Sequence, residues 1–309
     1  VMTQPEKSGN FVKESTIALL AGALAGGVAD FSVHPIDTVR TRLQVQKSQG
    51  SNAAYRGTAH AFSSIIKNEG FTALYKGIGI VLASTIPAHA LYFGGYEISK
   101  MMLKSDKIPD PVVHFASGGI ADICGSFIWV PMDVVKQRLQ IQKKDATGGA
   151  LKYKGSWHAL QTIFQEEGVR GLFKGYWAAI ATYGPFVAIY FTAYEQFKKA
   201  SQSIFKVSTE EDLPFVVQLV NGGTAGGLAA CLTNPMDVIK TRMQVQSTKA
   251  SGDATYYRGI FHAVKSILQE EGVSAFGKGL YARILWIAPG TAITIALYEQ
   301  FKSGLDKRF

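Results

Sequence analysis

Apolar residues are unevenly spread along this chain; they gather into long runs separated by short basic stretches. Gly77 to Tyr96, Gly175 to Tyr194 and Leu213 to Met236 contain no Asp, Glu, Lys or Arg. Each run is long enough for an α-helix to cross about 30 Å of hydrocarbon. Polar and basic residues collect in connections such as Lys143 to Lys154. Stretches such as Gly57 to Asn68 read as short helices with glycine hinges at their ends. The pattern predicts an all-α protein embedded in a membrane.

The elements recur. Pro35-Ile36-Asp37-Thr38-Val39-Arg40-Thr41-Arg42 returns as Pro131-Met132-Asp133-Val134-Val135-Lys136-Gln137-Arg138 and again as Pro235-Met236-Asp237-Val238-Ile239-Lys240-Thr241-Arg242. Each copy is followed by a second element: Glu69-Gly70 with Lys76-Gly77, Glu167-Gly168 with Lys174-Gly175, Glu271-Gly272 with Lys278-Gly279. A third closes each copy: Tyr96-Glu97 with Lys100, Tyr194-Glu195 with Lys198, Tyr298-Glu299 with Lys302. A repeat in this register predicts three pseudo-symmetric units over residues 11–105, 110–203 and 213–306. Each unit is expected to hold two membrane-spanning helices joined by a short amphipathic helix, six spans in all. The prolines should kink the first helix of each unit, since each removes a hydrogen bond and clashes with the preceding turn. Small residues four apart, Gly22 with Gly26 and Gly222 with Gly226, suggest close helix contacts in lipid.

Composition adjusts this picture little. Hydrophobic residues make up 47% of the chain, and the net charge is +9. The bases lie in connecting segments, which suits juxtamembrane contact with anionic lipid and argues against nucleic acid. Cys124 and Cys231 sit inside apolar runs without disulfide or metal spacing. The polar stretch Val1 to Asn10 lacks an Arg-rich presequence, so targeting information is expected within the repeats. His60, His158 and His262 obey the repeat and read as structural. Gly272 to Lys278 mimics a phosphate-binding loop, but Gly279 stands where a hydroxyl should follow, and the segment is simply the third copy of the repeat. With no nucleophile–base pair either, an enzyme is not expected.

The repeated charges carry the mechanism. Asp37 and Arg40 lie three apart on one helical face, as do Asp133 with Lys136 and Asp237 with Lys240. In a ring of three helices the acid of one can meet the base of the next, which meets the demand that a charge in lipid find a partner or a cavity. Glu97, Lys100, Glu195, Lys198, Glu299 and Lys302 offer a second ring at the opposite end of the bundle. Two rings that close in turn amount to two gates.

These motifs resemble those of the mitochondrial carrier family, from about Ser15 to Lys302. The resemblance implies an inner-membrane, multi-pass, monomeric transporter without a resident cofactor. It implies a matrix gate of Asp37, Arg40, Asp133, Lys136, Asp237 and Lys240 braced by Gln44, Gln140 and Gln244. It further implies a cytoplasmic gate of the Glu/Lys residues above, braced by Tyr96, Tyr194 and Tyr298. Gly57, Gly77, Gly155, Gly175, Gly259 and Gly279 resemble the family's cardiolipin-binding helix ends, and helix N-termini do bind phosphate. Gly277, in place of an aromatic, would weaken one such site.

The family's substrate level falls three residues before Pro87, Pro185 and Pro289, at Ser84, Thr182 (with Tyr183) and Trp286, with Arg283 one turn away. One cation there suits a large polyanion poorly, and Asp30 and Asp122 suit a cationic ligand better. Pro87 to Phe93 resembles helix two of the mitoferrins, the iron carriers of this family, with His89 on a histidine tied to metal passage. The implied substrate is then ferrous iron or a related divalent metal, with His89 a transient ligand. Several departures keep other readings open: Thr182-Tyr183-Gly184-Pro185 in helix four, Asp30 in place of a histidine with His34 one turn on, and Gln218 in helix five with His114 in helix three. An organic cofactor such as S-adenosylmethionine or thiamine pyrophosphate would fit Trp286, Tyr183 and the carboxylates. A non-transporting adaptor would show decayed gates, and both gate motifs are complete.

Overall fold

The structure, a computed structural model, describes residues 4–46, 55–104, 109–142, 151–209, 212–247 and 257–306. Among these residues the chain forms nine α-helices: α1 (Gln4–Val45), α2 (Thr58–Glu69), α3 (Ile78–Leu103), α4 (Asp110–Ile141), α5 (Ser156–Leu172), α6 (Tyr176–Phe205), α7 (Phe215–Val245), α8 (Ile260–Glu271) and α9 (Leu280–Asp306). No described residue is in a strand. Each unit runs long helix, short helix, tight turn, long helix. The tight turn is a 3-10 helix at Phe71–Tyr75 and Val273–Gly277; in the second unit α5 breaks at Gly168 and turns once more.

Gly77 shows why this turn repeats with glycine. Its φ is 88°, in the left-handed region, and a Cβ there would lie 3.1 Å from the backbone of Lys136. Only a residue without a side chain fits both the backbone angle and the close approach of α4.

The repeats close on one another. α3 lies along α4, α6 along α7, and α9 returns to α1, so the main helix contacts join successive units into a ring. Three equivalent hydrophobic clusters fasten the end of each first helix to its own short helix: Val39, Leu43 and Ile65; Val135, Leu139 and Ile163; Ile239, Ala263 and Ile267. The small-residue expectation needs correction in α1. Ala21, Ala25 and Ala29 are the buried small residues, whereas a Cβ at Gly22 or Gly26 would meet nothing within 4 Å. In α7 the expectation fits: a Cβ at Gly226 would sit 2.8 Å from the Ile287 side chain on α9.

Large apolar side chains such as Met102, Phe115, Trp177 and Tyr281 are exposed, as a lipid-facing belt requires. Four segments are long and apolar enough to cross a membrane: Phe71–Leu103, Val112–Ile141, Phe215–Val245 and Val273–Leu305. Pro35, Pro131 and Pro235 lie inside α1, α4 and α7, followed at once by the most polar buried region of the molecule.

Candidate functional site

Just beyond the three prolines, α1, α4 and α7 converge and their charges interlock. Lys136 Nζ lies 3.2 Å from Asp37 Oδ2, Lys240 Nζ 2.7 Å from Asp133 Oδ2, and Arg40 Nε 3.3 Å from Asp237 Oδ2. Each base thus meets the acid of the preceding unit, and the third contact closes the circle. All six residues are buried. Arg40 and Lys136 also reach Asp37 and Asp133 on their own helices, at 3.2 Å each.

A second layer lies beneath. Gln140 donates to Asp37 (3.1 Å) and accepts from Thr41, while Gln44 donates to Asp237 (2.8 Å) and accepts from Thr241. The third glutamine breaks the pattern. Gln244 is fully buried, yet neither amide atom has a hydrogen-bond partner among the described residues. Tyr183 takes its place: Lys240 donates to the phenol oxygen at 2.7 Å, and the hydroxyl donates to Asp133 at 3.3 Å. Unit two carries Gln137 where the others carry Thr41 and Thr241, and its Oε1 is also unpaired, so the threonine that would orient Gln244 is missing.

A further set of contacts ties the units at this end. Arg42 forks onto Glu69 of its own unit and donates through Nε to the Gln140 carbonyl of the next. Arg138 does the same with Glu167 and Gln244, and Arg242 with Glu271 and Gln44. Lys76, Lys174 and Lys278 join the same carboxylates and reach the carbonyls of Gln142, Gln246 and Gln46. Cations at helix C-terminal carbonyls are favourably placed against the helix dipole.

At the opposite end Lys198 pairs with Glu195 on its own helix. Glu97 and Lys302 are exposed, and the side chain of Glu299 lies outside the described residues. Tyr96 shares a 2.6 Å hydrogen bond with His114, and Tyr194 stacks on Tyr190. Between the two ends the helices enclose a cavity.

Within that cavity Ala29, Asp30, Val33, Phe186, Tyr190, Trp286 and Thr291 border a recess of about 380 Å³. Asp30 has no ion-pair partner among the described residues and lies within electrostatic reach of Lys136 and, more weakly, of His89. Trp286 receives the guanidinium of Arg40 on its face at 4.9 Å. Of the residues expected to contact substrate, Arg283 is taken up elsewhere: it bonds Ala230 and Thr233 on α7 and stands 3.6 Å from Asp237. Tyr183 likewise belongs to the closed ring. Thr182 is buried with its hydroxyl on the Ala178 carbonyl, and Ser84 is buried.

The histidines are dispersed. His34 donates to the Lys76 carbonyl, His89 to the Thr85 carbonyl, and His114 is bound to Tyr96. Among the described residues no three His, Cys, Asp or Glu side chains gather as a metal site.

Comparison with known proteins agrees with this architecture. The sequence pattern of the family described as "Mitochondrial carrier protein" matches residues 12–107, 109–204 and 211–309, nearly the whole chain. The chain belongs to the mitochondrial carrier family. The carrier is 49% identical over 300 residues to "Mitochondrial substrate carrier family protein E" of Dictyostelium discoideum, covering 95% of this chain and 97% of the relative. It is 35% identical to the "Mitoferrin" of the same organism, over 93% of each chain. It is 34% identical to "S-adenosylmethionine carrier 1, chloroplastic/mitochondrial" of Arabidopsis thaliana, over 100% of this chain and 85% of that one. The family is one of transporters, and the apolar helices suit a membrane protein.

The six helix-end glycines of the carrier pair across unit borders. Gly57 and Gly279 share a groove of about 750 Å³ with Ile36, Phe62 and Leu285, and Gly277 lines it too. Gly175 and Gly259 share one of about 740 Å³, and Gly77 and Gly155 one of about 350 Å³. Asp30 was visible in the sequence as a carboxylate on the first helix. Phe186 and Tyr190 were not singled out, although each lies on the helix that follows Pro185.

Proposed function

We propose that this carrier moves a small organic cation bearing a flat ring, of the S-adenosylmethionine class, across the mitochondrial inner membrane by alternating access. The observation that carries the reading is Asp30, an unpaired carboxylate in a recess walled by Trp286, Phe186 and Tyr190. A carboxylate offsets the positive charge, and the aromatic faces accept both a ring and a cation. From Asp122 down to the closed ring, five carboxylates (Asp30, Asp37, Asp122, Asp133, Asp237) face four bases (Arg40, Lys136, Lys240, Arg283). This excess suits a cation. The volume of the recess suits an organic molecule, as pockets of this order do.

The Asp/Lys/Arg ring is closed, and in this reading it is the matrix gate, with the Glu/Lys motifs at the cytoplasmic side. Substrate settling against Asp30 and Trp286 would draw Arg40 from its place on the indole and loosen the Arg40–Asp237 link. The cytoplasmic ring of Glu97, Lys100, Glu195, Lys198, Glu299 and Lys302 would then form, with Tyr96, Tyr194 and Tyr298 behind it. The three grooves at the helix-end glycines, which combine backbone N–H groups, Lys or Arg side chains and apolar walls, fit the diphosphate and acyl chains of cardiolipin.

A metal substrate is the second reading, favoured by His89 within electrostatic reach of Asp30 and by the mitoferrin-like run around Pro87. Uptake by the purified carrier in cardiolipin-containing liposomes separates the two. Labelled S-adenosylmethionine should accumulate, at least tenfold more slowly with Asp30→Asn. Accumulation of ferrous ion without S-adenosylmethionine would overturn the organic reading, and accumulation of neither would turn attention to an adaptor role.

A further inference from the structure

The threefold repeat separates what all units share from what one unit does alone, and α4 departs from its sisters twice on one face. At the position where α1 has Gly26 and α7 has Gly226, α4 carries Asp122, eleven residues before the ring aspartate in each case. One turn further along lies Gly125, where a Cβ would fall 2.6 Å from the Trp129 ring. The indole is therefore folded back over Gly125 along its own helix. Nothing in the repeat asks for either residue.

The surroundings match. Tyr92 lies 5.7 Å from the Trp129 ring, and His89 approaches it edge-on at 5.9 Å. Tyr92 is also within electrostatic reach of Asp122. No base pairs with Asp122 among the described residues, and its carboxylate is half-buried. A desolvated carboxylate without a counter-ion is costly in a membrane protein unless a cation visits it. Asp122, Gly125 and Trp129 follow one another at helical spacing on α4, so a carboxylate and an indole share one face, and aromatic faces with a carboxylate near by suit ammonium and sulfonium groups. Asp30 lies seven residues before the ring aspartate and Asp122 eleven, so Asp122 stands about one turn further from the closed ring along its helix than Asp30 does along α1.

We infer that Asp122, Trp129 and Tyr92 form a second cation-binding subsite, further from the closed ring, which takes the cationic group of the substrate before or alongside the recess at Asp30. The inference rests on the proposed cationic substrate, but its test does not require that substrate. Choline carries the charge without the ring. The purified carrier should show a choline-dependent rise in unfolding temperature beyond that of sodium chloride at equal ionic strength, because a ligand of the folded state stabilises it by mass action. Asp122→Asn, which keeps the side-chain shape, should raise the half-saturating choline concentration about tenfold. Gly125→Ala, which displaces the indole, should do likewise, and Asp30→Asn should leave a choline response in place.

A response abolished by Asp30→Asn and unchanged in Asp122→Asn would overturn the second subsite. So would the absence of any choline response beyond salt. Liposomes that fail to take up S-adenosylmethionine, with the Asp122-dependent choline response intact, would overturn the substrate assignment and leave the subsite standing.

Discussion

Tyr183 and Gln244 permit a sharp test of how the closed end is held. In two of three links a glutamine donates to the ring aspartate; in the third, the phenol of Tyr183 bridges Lys240 and Asp133 while Gln244 is buried with its amide unpaired. Tyr183→Phe keeps the ring beneath Lys240, whose Nζ lies 4.5 Å from its centroid, and removes only the hydroxyl. The direct Lys240–Asp133 contact survives. What is lost is a bridging group in two hydrogen bonds to charged partners, together worth about 3 kcal/mol. Gln44→Leu deletes the 2.8 Å bond to Asp237 and the one from Thr241, a loss of similar size. Gln244→Leu should be neutral or stabilising by about 1 kcal/mol, since it removes a buried amide that nothing satisfies. With about 2 °C in melting temperature per kcal/mol for a chain of this length, the first two variants should melt about 6 °C lower and the third no lower than the parent. Thermal unfolding in mild detergent with cardiolipin reads these shifts directly. A loss in Gln244→Leu equal to that in Gln44→Leu would refute the asymmetric gate.

Other consequences can be checked with the same preparation. Asp37→Lys and Lys136→Asp should each lower transport strongly, because removing one partner of a buried pair costs about 3–5 kcal/mol, while the double exchange should retain more activity than either; equal loss in all three would sink the pairing. Burial pushes the Glu69 and Glu271 carboxyls up, but Arg42 and Arg242, aided by Lys76 and Lys278, outweigh it and hold both below their ordinary value of 4.5. A depressed folded value means that their stabilisation is complete above 4.5 and lost as pH falls below it. Melting temperature should therefore drop on acidification in that range, and Glu69→Gln with Glu271→Gln should flatten the drop while lowering stability at neutral pH. Gly77→Ala should destabilise by about 1–3 kcal/mol through backbone strain, whereas Gly57→Ala, at an extended position with open space beside it, should change melting little.

The repeats, the nine helices and the meeting of ring charges were legible because the same residues recur in the same order three times, and symmetry turns spacing into geometry. Deviations from symmetry were harder to read. Arg283 stands at the substrate level along the chain, yet its long side chain reaches sideways to Ala230, Thr233 and Asp237. Tyr183 counts as a cavity residue by position but turns toward Lys240 and Asp133, the aspartate that Gln244 leaves unserved. Gly22 and Gly26 carry the expected spacing, but spacing alone does not say which face of α1 meets a neighbour; the buried face runs through Ala21 and Ala25. Reach and rotation are set by packing, which a linear pattern does not encode.

The triads of Arg42, Arg138 and Arg242 set a rule for motion. Each arginine grips a carboxylate on its own short-helix segment and, with the same guanidinium, the final carbonyls of the neighbouring long helix. If α4 tilts outward, Gln140 draws on Arg42 and so on Glu69 and α2 of the first unit; α7 then draws on the second, and α1 on the third. Such a linkage behaves as the leaves of an iris, in which no leaf swings far without the others. Damage to one triad should therefore be felt around the whole aperture.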